Sequence, residues 1–465
     1  VAEGLYFEGT PAEIHARSAE EVERDKAARE AKAAADRDWR DFLGRMRQAR
    51  LIAADGDRLE EVRLLALGRS DHSRILQALG HPETRENAHR LLVKVGFWEP
   101  DHNPYPERFG VALEEPDVAV PDLPEEQRRD LTHLPAFAID DEGNRDPDDA
   151  ISLDGERIWV HVADVAAVAV PDGELDAEAR VRGANLYIPE KVVNMLPEAV
   201  TQRLGLGLQE VSPALSFGFR YPGEGAVEDI EILASWVRVQ RLSYDEADLR
   251  LSEEPFRTLF ELTEKFRHRR HAQDAASIEL PEVSIKVEDG EVRIRQLPRL
   301  RSRDLVTDAM LMAGEAAAIF CREREIPIPY ATQPAPDSPQ TPTTLADMFA
   351  YRKQFKPSRL TSEPAPHFGL GLPLYTRATS PLRRYSDLLV HQQLRAYLAG
   401  GAPLDREQIV ERMGVAETAG LAVRRSERLS NQHWKLVYLR QNPGWKGQGV
   451  VVDKDNHRAI VMIPE

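Results

Sequence analysis

Six carboxylates occupy the ten residues from Asp140 to Asp149. An apolar run precedes this segment and another follows it, which indicates that the acids lie between two buried strands. Carboxylates near a protein core repel one another and resist desolvation, and protonation, a basic partner or a bound cation can compensate. Four of these acids are therefore candidate ligands for Mg²⁺, which binds oxygen donors. They are Asp140, Asp146, Asp148 and Asp149.

The spacing of these four aspartates suits a pair of metal ions. Asp146 and Asp148 are two residues apart, so in extended geometry their side chains share a face. Asp149 points away unless the chain turns, whereas the turn after Asp140 can bring that residue back. Four carboxylates carry a charge of about −4, which two Mg²⁺ would offset, and such pairs of ions promote in-line displacement at phosphorus. For this segment taken alone, the alternative is a solvated acidic loop.

A second motif combines a predicted helix start with arginines. Thr379 or Ser380 followed by Pro381 predicts a helix N-terminus, because hydroxyl side chains cap helices and proline suits the first turn. Arg383 and Arg384 come next, in a turn where the helix dipole disfavours cations. A helix N-terminus with arginines is instead an anion-binding arrangement. The alternative is that both arginines pair with nearby acids.

Further motifs accompany these two, and all of them stand in a fixed order. They are the acidic segment, then His161–Val165, then Tyr187–Pro189 with Met195–Pro197, and then His367–Asp387. Their order and spacing resemble the ribonuclease II / ribonuclease R family over roughly residues 128 to 440. The resemblance implies a processive, hydrolytic 3′→5′ exoribonuclease that degrades single-stranded RNA with a free 3′ end to nucleoside 5′-monophosphates. It also implies two-metal-ion catalysis with Mg²⁺, for which Mn²⁺ can substitute.

The resemblance assigns roles to individual residues. Asp140, Asp146, Asp148 and Asp149 match the metal-binding aspartates of the family, and the last two are also expected in catalysis. Arg383 matches the arginine that stabilises charge on the scissile phosphate, which is the expected task of a guanidinium facing a developing oxyanion.

The same resemblance implies a set of RNA-contacting residues. They are Tyr187, Tyr244, Arg384, Tyr385 and Glu427. Tyr187 matches the tyrosine that stacks on bases near the 3′ end, and a flat ring suits an enzyme that accepts any base. A buried core aromatic is the alternative for Tyr187.

The sequence predicts an α+β protein of three parts. Residues 1–115 contain a long charged helix over 12–50, three short amphipathic helices and a proline-rich linker. They predict a helical domain of helix-turn-helix or winged-helix type, with a packing domain as the alternative. Residues 116–440 mix short β runs with long helices and correspond to the RNB-type catalytic domain that the resemblance implies. Residues 441–465 contain two β-branched runs, which predict a hairpin that starts an OB-type β-barrel.

Composition limits the possible partners. The chain of 465 residues has a net charge of −17, so an RNA enzyme must gather its arginines in one channel to attract phosphates. The single cysteine, Cys321, excludes an internal disulfide and is predicted to be a buried apolar residue. The sequence has no N-terminal signal segment and no run of 18 apolar residues, so we expect a cytoplasmic monomer without a membrane partner. An RNA-binding factor without turnover is the alternative function.

Overall fold

The computed structural model describes residues 4–10, 12–338, 342–456 and 458–463. The chain divides into two compact units, Val1–Arg108 and Phe109–Glu465. Across the described residues, no helix is both long enough and apolar enough to cross a lipid bilayer. The predicted α+β class is confirmed, because the first unit is mostly helical and the second combines a curled sheet with long helices.

The N-terminal unit begins with a hairpin and continues with helices. Its elements are β1 (Phe7–Thr10), β2 (Glu13–Ala16), α1 (Ala19–Arg47), α2 (Gly56–Ala66), α3 (Arg74–Leu79), α4 (Arg85–Lys94) and α5 (Tyr105–Arg108). Helices α1 to α4 confirm the helical prediction for this part of the chain. Strand β2 lies where the long helix was predicted to start. Both strands of the hairpin are exposed along their whole length, so no hydrophobic pattern indicated them.

Helix α1 docks through its C-terminal part, as predicted. It begins at a capping box, in which Ser18 accepts from the amide of Glu21 and the Glu21 side chain accepts from the amide of Ser18. Most of its middle is exposed, whereas Phe42, Leu43 and Met46 are buried. These three side chains pack with apolar residues of α2, α3 and α4 in one core. The exposed half of α1 is therefore held by its cap and by helix propensity, and the buried half by packing.

The C-terminal unit contains the remaining elements. Its strands are β3 (Arg129–Asp130), β4 (Ala136–Asp140), β5 (Asp149–Asp154), β6 (Arg157–Ala163), β7 (Leu186–Ile188), β8 (Lys191–Val193), β9 (Ser212–Arg220), β10 (Glu228–Val237), β11 (Val239–Ser243), β12 (Val283–Glu288), β13 (Glu291–Gln296), β14 (Tyr330–Thr332), β15 (Arg359–Thr361), β16 (Val450–Asp455) and β17 (Arg458–Met462). Its helices are α6 (Glu174–Arg182), α7 (Glu198–Leu204), α8 (Tyr244–Leu249), α9 (Phe256–Ala272), α10 (Arg301–Glu323), α11 (Leu345–Gln354), α12 (Tyr385–Leu398) and α13 (Arg406–Gln441).

One seven-stranded sheet organises this unit, with the strand order β11-β4-β5-β6-β9-β10-β3. The pairings are antiparallel except at the two ends, where β11 runs parallel to β4 and β3 runs parallel to β10. Strands β10 and β11 lie near opposite ends of this order, although only Arg238 separates them in sequence. The sheet must therefore curl so that its two ends approach each other.

Both faces of the curled sheet are covered. Phe137 and Ile139 of β4 point into a core that includes α9 and α10, whereas Ala138 points into a second core that includes α6, α7, α12 and α13. Burial on both faces explains why the strands are continuous apolar runs instead of alternating ones. Cys321 on α10 has no exposed surface, which confirms its predicted burial.

The predicted hairpin near the C-terminus is also confirmed. Strands β16 and β17 pair in antiparallel register. Val450, Val451, Ile460 and Val461 are exposed on this hairpin. A two-stranded hairpin is marginal without further packing, and the OB-type barrel stays a prediction.

Candidate active site

The acidic segment connects β4 to β5 at one edge of the sheet. Asp140 is the last residue of β4, Asp149 is the first residue of β5, and the two strands are antiparallel neighbours. The connecting loop includes Gly143, whose φ of 80° suits glycine because glycine has no Cβ. The two ends of the segment therefore meet, because the strands that carry them pair.

Asp148 is buried in this loop, and both of its oxygens are engaged. Oδ1 accepts a hydrogen bond from the amide of Leu382 at 2.8 Å, and Oδ2 accepts one from Nε of Arg383 at 2.9 Å. Burial raises the pKa of Asp148 to about 8, although the charge of Arg383 opposes this shift. The pair joins the acidic loop to a residue that lies 235 positions downstream.

The segment before α12 corrects one prediction. Helix α12 begins at Tyr385, and the residue before it, Arg384, has an extended backbone with a φ of −141°. The predicted start at Thr379 or Ser380 was wrong. The amide of Ser380 donates to Oδ1 of Asp387 at 3.0 Å, so this segment folds back against the helix instead of forming its first turn.

Arg383 is fixed on several sides by this turn. Besides the bond to Asp148, its Nη2 donates to Oγ of Ser380 at 2.9 Å, and its backbone oxygen accepts from the amide of Asn185 at 3.0 Å. Burial opposes its charge, but Asp148 and Asp149 raise the pKa of Arg383 above its ordinary value. Within the described residues Nη1 has no hydrogen-bond partner. The guanidinium therefore stays charged and keeps one nitrogen for an incoming oxyanion.

Tyr187 lies against another aspartate of the loop. Its hydroxyl donates to Oδ2 of Asp146, and Nδ2 of Asn185 reaches the same oxygen at 3.3 Å. The amide of Tyr187 donates to Oε1 of Glu427 on α13 at 2.8 Å, which anchors β7. Burial raises the pKa of Tyr187, and Asp146 raises it further. The residue is nevertheless 38% exposed, which leaves ring surface for the predicted base stacking.

Tyr244 is the first residue of α8 and lies near the same loop. Burial raises its pKa, and the charges of Asp140 and Asp149 raise it further. The guanidinium of Arg303 lies 4.1 Å from the centre of the Tyr244 ring and forms an ion pair with Asp141. Tyr244 is thus held in place by a cation–π contact and by the end of its helix.

We refer to Asp140, Asp146, Asp148 and Asp149 as the aspartate cluster. Burial raises the pKa of Asp140, and it raises the pKa of Asp149 to about 7. Asp146 raises the pKa of both Asp140 and Asp148, and Asp140 raises that of Asp149. The structure therefore brings the four predicted ligands near one another, in a region where their negative charges are costly.

The donor set of the aspartate cluster fits a divalent cation. All of its donors are carboxylate oxygens, and the Asp149 carboxylate accepts no hydrogen bond within the described residues. Yet no three acidic, histidine or cysteine side chains of those residues surround a common point at metal-ligand distance. One reason is that Asp148 faces Arg383. A four-ligand arrangement stays a prediction.

Two of the predicted RNA contacts are directed elsewhere. Nη2 of Arg384 donates to Oδ1 of Asp387 at 2.6 Å. Tyr385 has no exposed surface, and its hydroxyl donates to Oδ1 of Asp176 at 2.9 Å. The structure places Tyr385 in the second core and gives its ring no surface for RNA. The structure confirms the alternative in which both arginines pair with nearby acids, because Arg383 pairs with Asp148 and Arg384 with Asp387.

A cleft of about 750 Å³ lies beside the aspartate cluster. Tyr187, Arg383, Arg384 and Glu427 all line it. Helix α13, the loop before α12 and residues 357–360 form its walls. Predicted functional residues from three distant parts of the sequence therefore share one surface.

Three side chains that position the site were not predicted. Asn144 donates to Oδ2 of Asp140 at 2.5 Å, and its Oδ1 accepts from the amide of Asp146 at 3.1 Å. Asn185 and Arg303 hold Asp146 and Asp141, as described above. Both asparagines lie in or next to recognised motifs, so amide side chains there were a usable signal. Arg303 gave none, because its partner lies 162 residues away in sequence.

Comparisons with known families agree with this fold. The family described as the RNB domain matches residues 128–400, and the one described as a double HTH domain matches residues 22–104. An uncharacterized ribonuclease of Synechocystis sp. is 33% identical, over 99% of this chain and 76% of the relative. The chloroplastic/mitochondrial ribonuclease II of Arabidopsis thaliana is 28% identical over 84% of this chain, and the match spans only 53% of that relative.

Solved structures share the fold. An active-site mutant of the Dss1 exoribonuclease from Candida glabrata superimposes with a TM-score of 0.77 at 20% identity, over 92% of this chain and 67% of that one. Mycoplasma genitalium RNase R in complex with ribose methylated single-stranded RNA gives 0.66 at 18% identity, over 82% of this chain and 69% of that one.

The fold and the site thus define a protein in which an RNB domain follows a helical HTH region. The chain belongs to the ribonuclease II / ribonuclease R family.

Proposed function

We propose that this chain is a 3′→5′ exoribonuclease that hydrolyses single-stranded RNA from a free 3′ end and releases nucleoside 5′-monophosphates. The observation that carries the proposal is an anchored Arg383 beside a cluster of four aspartates, with Nη1 left without a hydrogen-bond partner within the described residues. An anchored guanidinium beside desolvated carboxylates suits a reaction in which negative charge develops on a phosphate. Family membership supports the same reaction type.

The proposed cofactor is Mg²⁺, as two ions for which Mn²⁺ can substitute. The aspartate cluster would hold them, and when bound they would activate a water and stabilise the leaving oxygen.

The residues of the chain divide the remaining work. Arg383 would contact the scissile phosphate through Nη1, because Nε and Nη2 are held by Asp148 and Ser380. Tyr187 would stack on a base near the 3′ end through the exposed part of its ring. Glu427 would act indirectly, by anchoring the backbone of Tyr187. Tyr244 would contact RNA from beside Asp140.

We further propose that RNA is degraded processively and that the protein acts as a monomer in the cytoplasm. The helical N-terminal unit, taken with the linker up to residue 115, would guide substrate to the RNB domain over residues 116–440. Residues 441–465 would contribute to RNA binding. Removing residues 1–115 and comparing structured with unstructured RNA tests the guiding role. If the truncated protein degraded both substrates at the same rates as the full chain, the guiding role would be excluded.

The central experiment is a time course on a single-stranded oligoribonucleotide labelled at its 5′ end. With Mg²⁺ we expect the full-length band to be replaced by a short 5′-labelled end product with few intermediates, while the released mononucleotides carry no label at early times. EDTA should stop the reaction, and a circular RNA of the same sequence should survive because it has no 3′ end. Degradation of the circle, or unchanged activity in EDTA, would contradict the proposal.

The second candidate is an RNA-binding factor without turnover. It is favoured by one observation: both oxygens of Asp148 are engaged by Leu382 and Arg383. Binding of the same oligonucleotide in Mg²⁺ without release of mononucleotides would establish this candidate instead.

A further inference from the structure

The cleft beside the aspartate cluster is rich in arginine, although the chain as a whole is acidic. Its charged lining residues are Arg359, Arg377, Arg383, Arg384, Arg424, Glu417 and Glu427. Both glutamates accept backbone hydrogen bonds: Glu417 from the amide of Leu360 at 3.3 Å and Glu427 from that of Tyr187 at 2.8 Å. The cleft therefore has an excess of positive charge that its own acids do not offset.

The arginines of the cleft differ in how far they are engaged. Arg383 and Arg384 form ion pairs with Asp148 and Asp387. Arg359, Arg377 and Arg424 form no side-chain hydrogen bond or ion pair with any residue that the structure describes. An unpaired arginine on an open surface is common, but three of them in one cleft are free to bind an anion together.

Arg377 is the most constrained of the three. It lies in the loop before α12 and is half-buried. Burial lowers the pKa of Arg377, and the positive charges of Arg384 and Arg424 lower it further, although the negative charge of Asp387, which already pairs with Arg384, acts in the opposite direction. A partly desolvated cation among other cations is unfavourable unless an anion joins it. Arg377 therefore has a physical reason to bind a phosphate that a fully exposed arginine lacks.

Arg424 lies on α13 and bends back along its own helix. Its Nη1 lies 3.2 Å from the position that a Cβ would occupy at Gly420. The absence of a side chain at Gly420 thus makes room for the guanidinium. The next residue, Arg425, is exposed on the same helix but does not line the cleft.

The arginines also form a connected series. Arg383 contacts Asp148, and its positive charge opposes the rise that burial causes in the pKa of that carboxyl. Arg383 also lies close enough to Arg384 for its charge to lower the pKa of Arg384. Arg384 in turn neighbours Arg377, which neighbours Arg424. A chain of positive charge therefore leads from the aspartate cluster into the cleft.

We propose that Arg377 and Arg424 form a separate phosphate-binding site for the backbone of single-stranded RNA, upstream of the phosphate at Arg383. The inference rests on the proposed function. Backbone contacts carry no sequence information and fix the register of the strand. The site would therefore set affinity and the smallest RNA that stays bound, while the chemical step would depend on the aspartate cluster and Arg383.

The test compares Arg377→Ala, Arg424→Ala and the double variant with the matched control Arg425→Ala. The probe is a fluorescent single-stranded oligouridylate, bound in EDTA so that it is not degraded, with its Kd measured over a series of KCl concentrations. Each lost phosphate contact should reduce the slope of log Kd against log salt by about 0.7. We expect this loss in each single variant, about 1.4 in the double variant, and no change in Arg425→Ala.

Kinetics in Mg²⁺ separate binding from chemistry. The double variant should raise KM about tenfold or more while kcat stays within about twofold, because the lost contacts hold the bound RNA equally in the ground state and the transition state. Arg377→Lys should restore much of the salt slope, since lysine also binds phosphate as a point charge. Should the double variant melt early, Arg424→Ala alone decides, because its side chain is exposed and its removal leaves no cavity.

The possible failures are distinguishable. If the unaltered protein degrades RNA but the double variant keeps the KM and salt slope of Arg425→Ala, the phosphate site is refuted and the proposed function stands. If the unaltered protein releases no mononucleotides but the variants lose salt slope, the proposed function fails and the phosphate site stands.

Discussion

Two clusters of buried acids in the C-terminal unit differ in how their charges are balanced. The first joins α9 to α10 and is called here the helix-pair cluster. Asp308 accepts from Nε of Arg267 at 2.9 Å and from Nη2 of Arg270 at 2.6 Å. Both oxygens of Glu315 accept from Nη2 of Arg269, at 2.9 and 3.0 Å. Arg267 also pairs with the half-buried Asp304 at 2.8 Å, so three arginines serve three carboxylates and the charges balance within the cluster.

The aspartate cluster has the opposite balance. Within the part of the chain that the structure describes, its four carboxylates share one direct arginine contact, which goes from Arg383 to Asp148. Burial raises the pKa of acids in both clusters, including Asp308 and Glu315. Burial and a raised pKa therefore do not distinguish a site from a structural contact. The shortage of cations does, because the cluster has to be relieved by protonation or by a cation that binds to it, whereas the helix-pair cluster is already balanced by its own arginines.

The largest effect expected from this comparison is at Asp149. Its side chain accepts no hydrogen bond within the described residues, so Asp149→Asn removes charge without breaking a contact. We expect the rate of mononucleotide release to fall about 10³-fold or more. Thermal unfolding should occur at the same temperature or slightly higher, since repulsion among the carboxylates is reduced. Activity within about tenfold of the unaltered protein would remove Asp149 from the proposed site.

The helix-pair cluster should respond in the opposite way. Asp308→Asn leaves the buried Arg270 without its carboxylate, while the half-buried Arg267 keeps its pair with Asp304. Breaking such a pair from one side should lower the free energy of unfolding by about 3–5 kcal/mol. Urea denaturation measures this loss, and activity per folded molecule should stay within about twofold. Lost activity in a variant of normal stability would show that the two clusters are not separate in function.

The same contrast explains how much of the site could be predicted from the sequence. The aspartate cluster was visible because its members lie within one ten-residue segment between apolar runs. Their partner Arg383 lies 235 residues from Asp148, and no local pattern pairs the two. The family motifs connected the two segments, while the actual bond required the fold.

Local signals were also reliable for helices but not for the turn before α12. The predicted start at Ser380 followed hydroxyl and proline preferences that ordinarily hold. In the structure the amide of Ser380 donates to Asp387 and Arg384 bridges to Ala184, so tertiary contacts override the local preference. The burial of Tyr385 could not be predicted for the same reason, because its partner Asp176 lies on α6, which is 209 residues away in sequence.

Short exposed hairpins were missed for another reason. Strands β12 and β13 alternate charged and apolar side chains and are mostly half-buried or exposed. Strands β1 and β2 are fully exposed. Strands β1 and β2 have no buried face and carry little hydrophobic periodicity, whereas β12 and β13 carry the alternating pattern of strands whose apolar side chains pack on α13, and that signal was overlooked.

A buried titratable group without any charged partner sharpens the comparison. His161 on β6 has no exposed surface and is hydrogen-bonded to the hydroxyls of Ser152 at 2.8 Å and Ser216 at 2.7 Å. Burial lowers its pKa to about 3. Because the unfolded chain binds a proton near pH 6.5 and the folded one does not, stability is intact above that pH and falls as pH decreases toward 3.

The expected loss is about 1.4 kcal/mol for each pH unit below 6.5, or about 3 kcal/mol at pH 4. His161→Gln cannot be protonated, so its free energy of unfolding should depend less steeply on pH over that range, whatever its stability at pH 7. Urea denaturation of both proteins between pH 4 and pH 8 measures the difference. Parallel curves would mean that His161 is not held neutral by the fold.

The smallest effect should come from Tyr187, which supports the aspartate cluster without adding charge. Tyr187→Phe removes the hydroxyl that donates to Asp146 but keeps the exposed ring. We expect kcat to fall about tenfold, as for one hydrogen bond to a charged group, while KM stays unchanged because stacking remains. Tyr187→Ala should also raise KM, since stacking contributes about 1–3 kcal/mol per base. If Phe and Ala raised KM equally, the hydroxyl and not the ring would be the RNA contact; if Phe left kcat unchanged, the aspartate cluster would not depend on the Tyr187 hydroxyl.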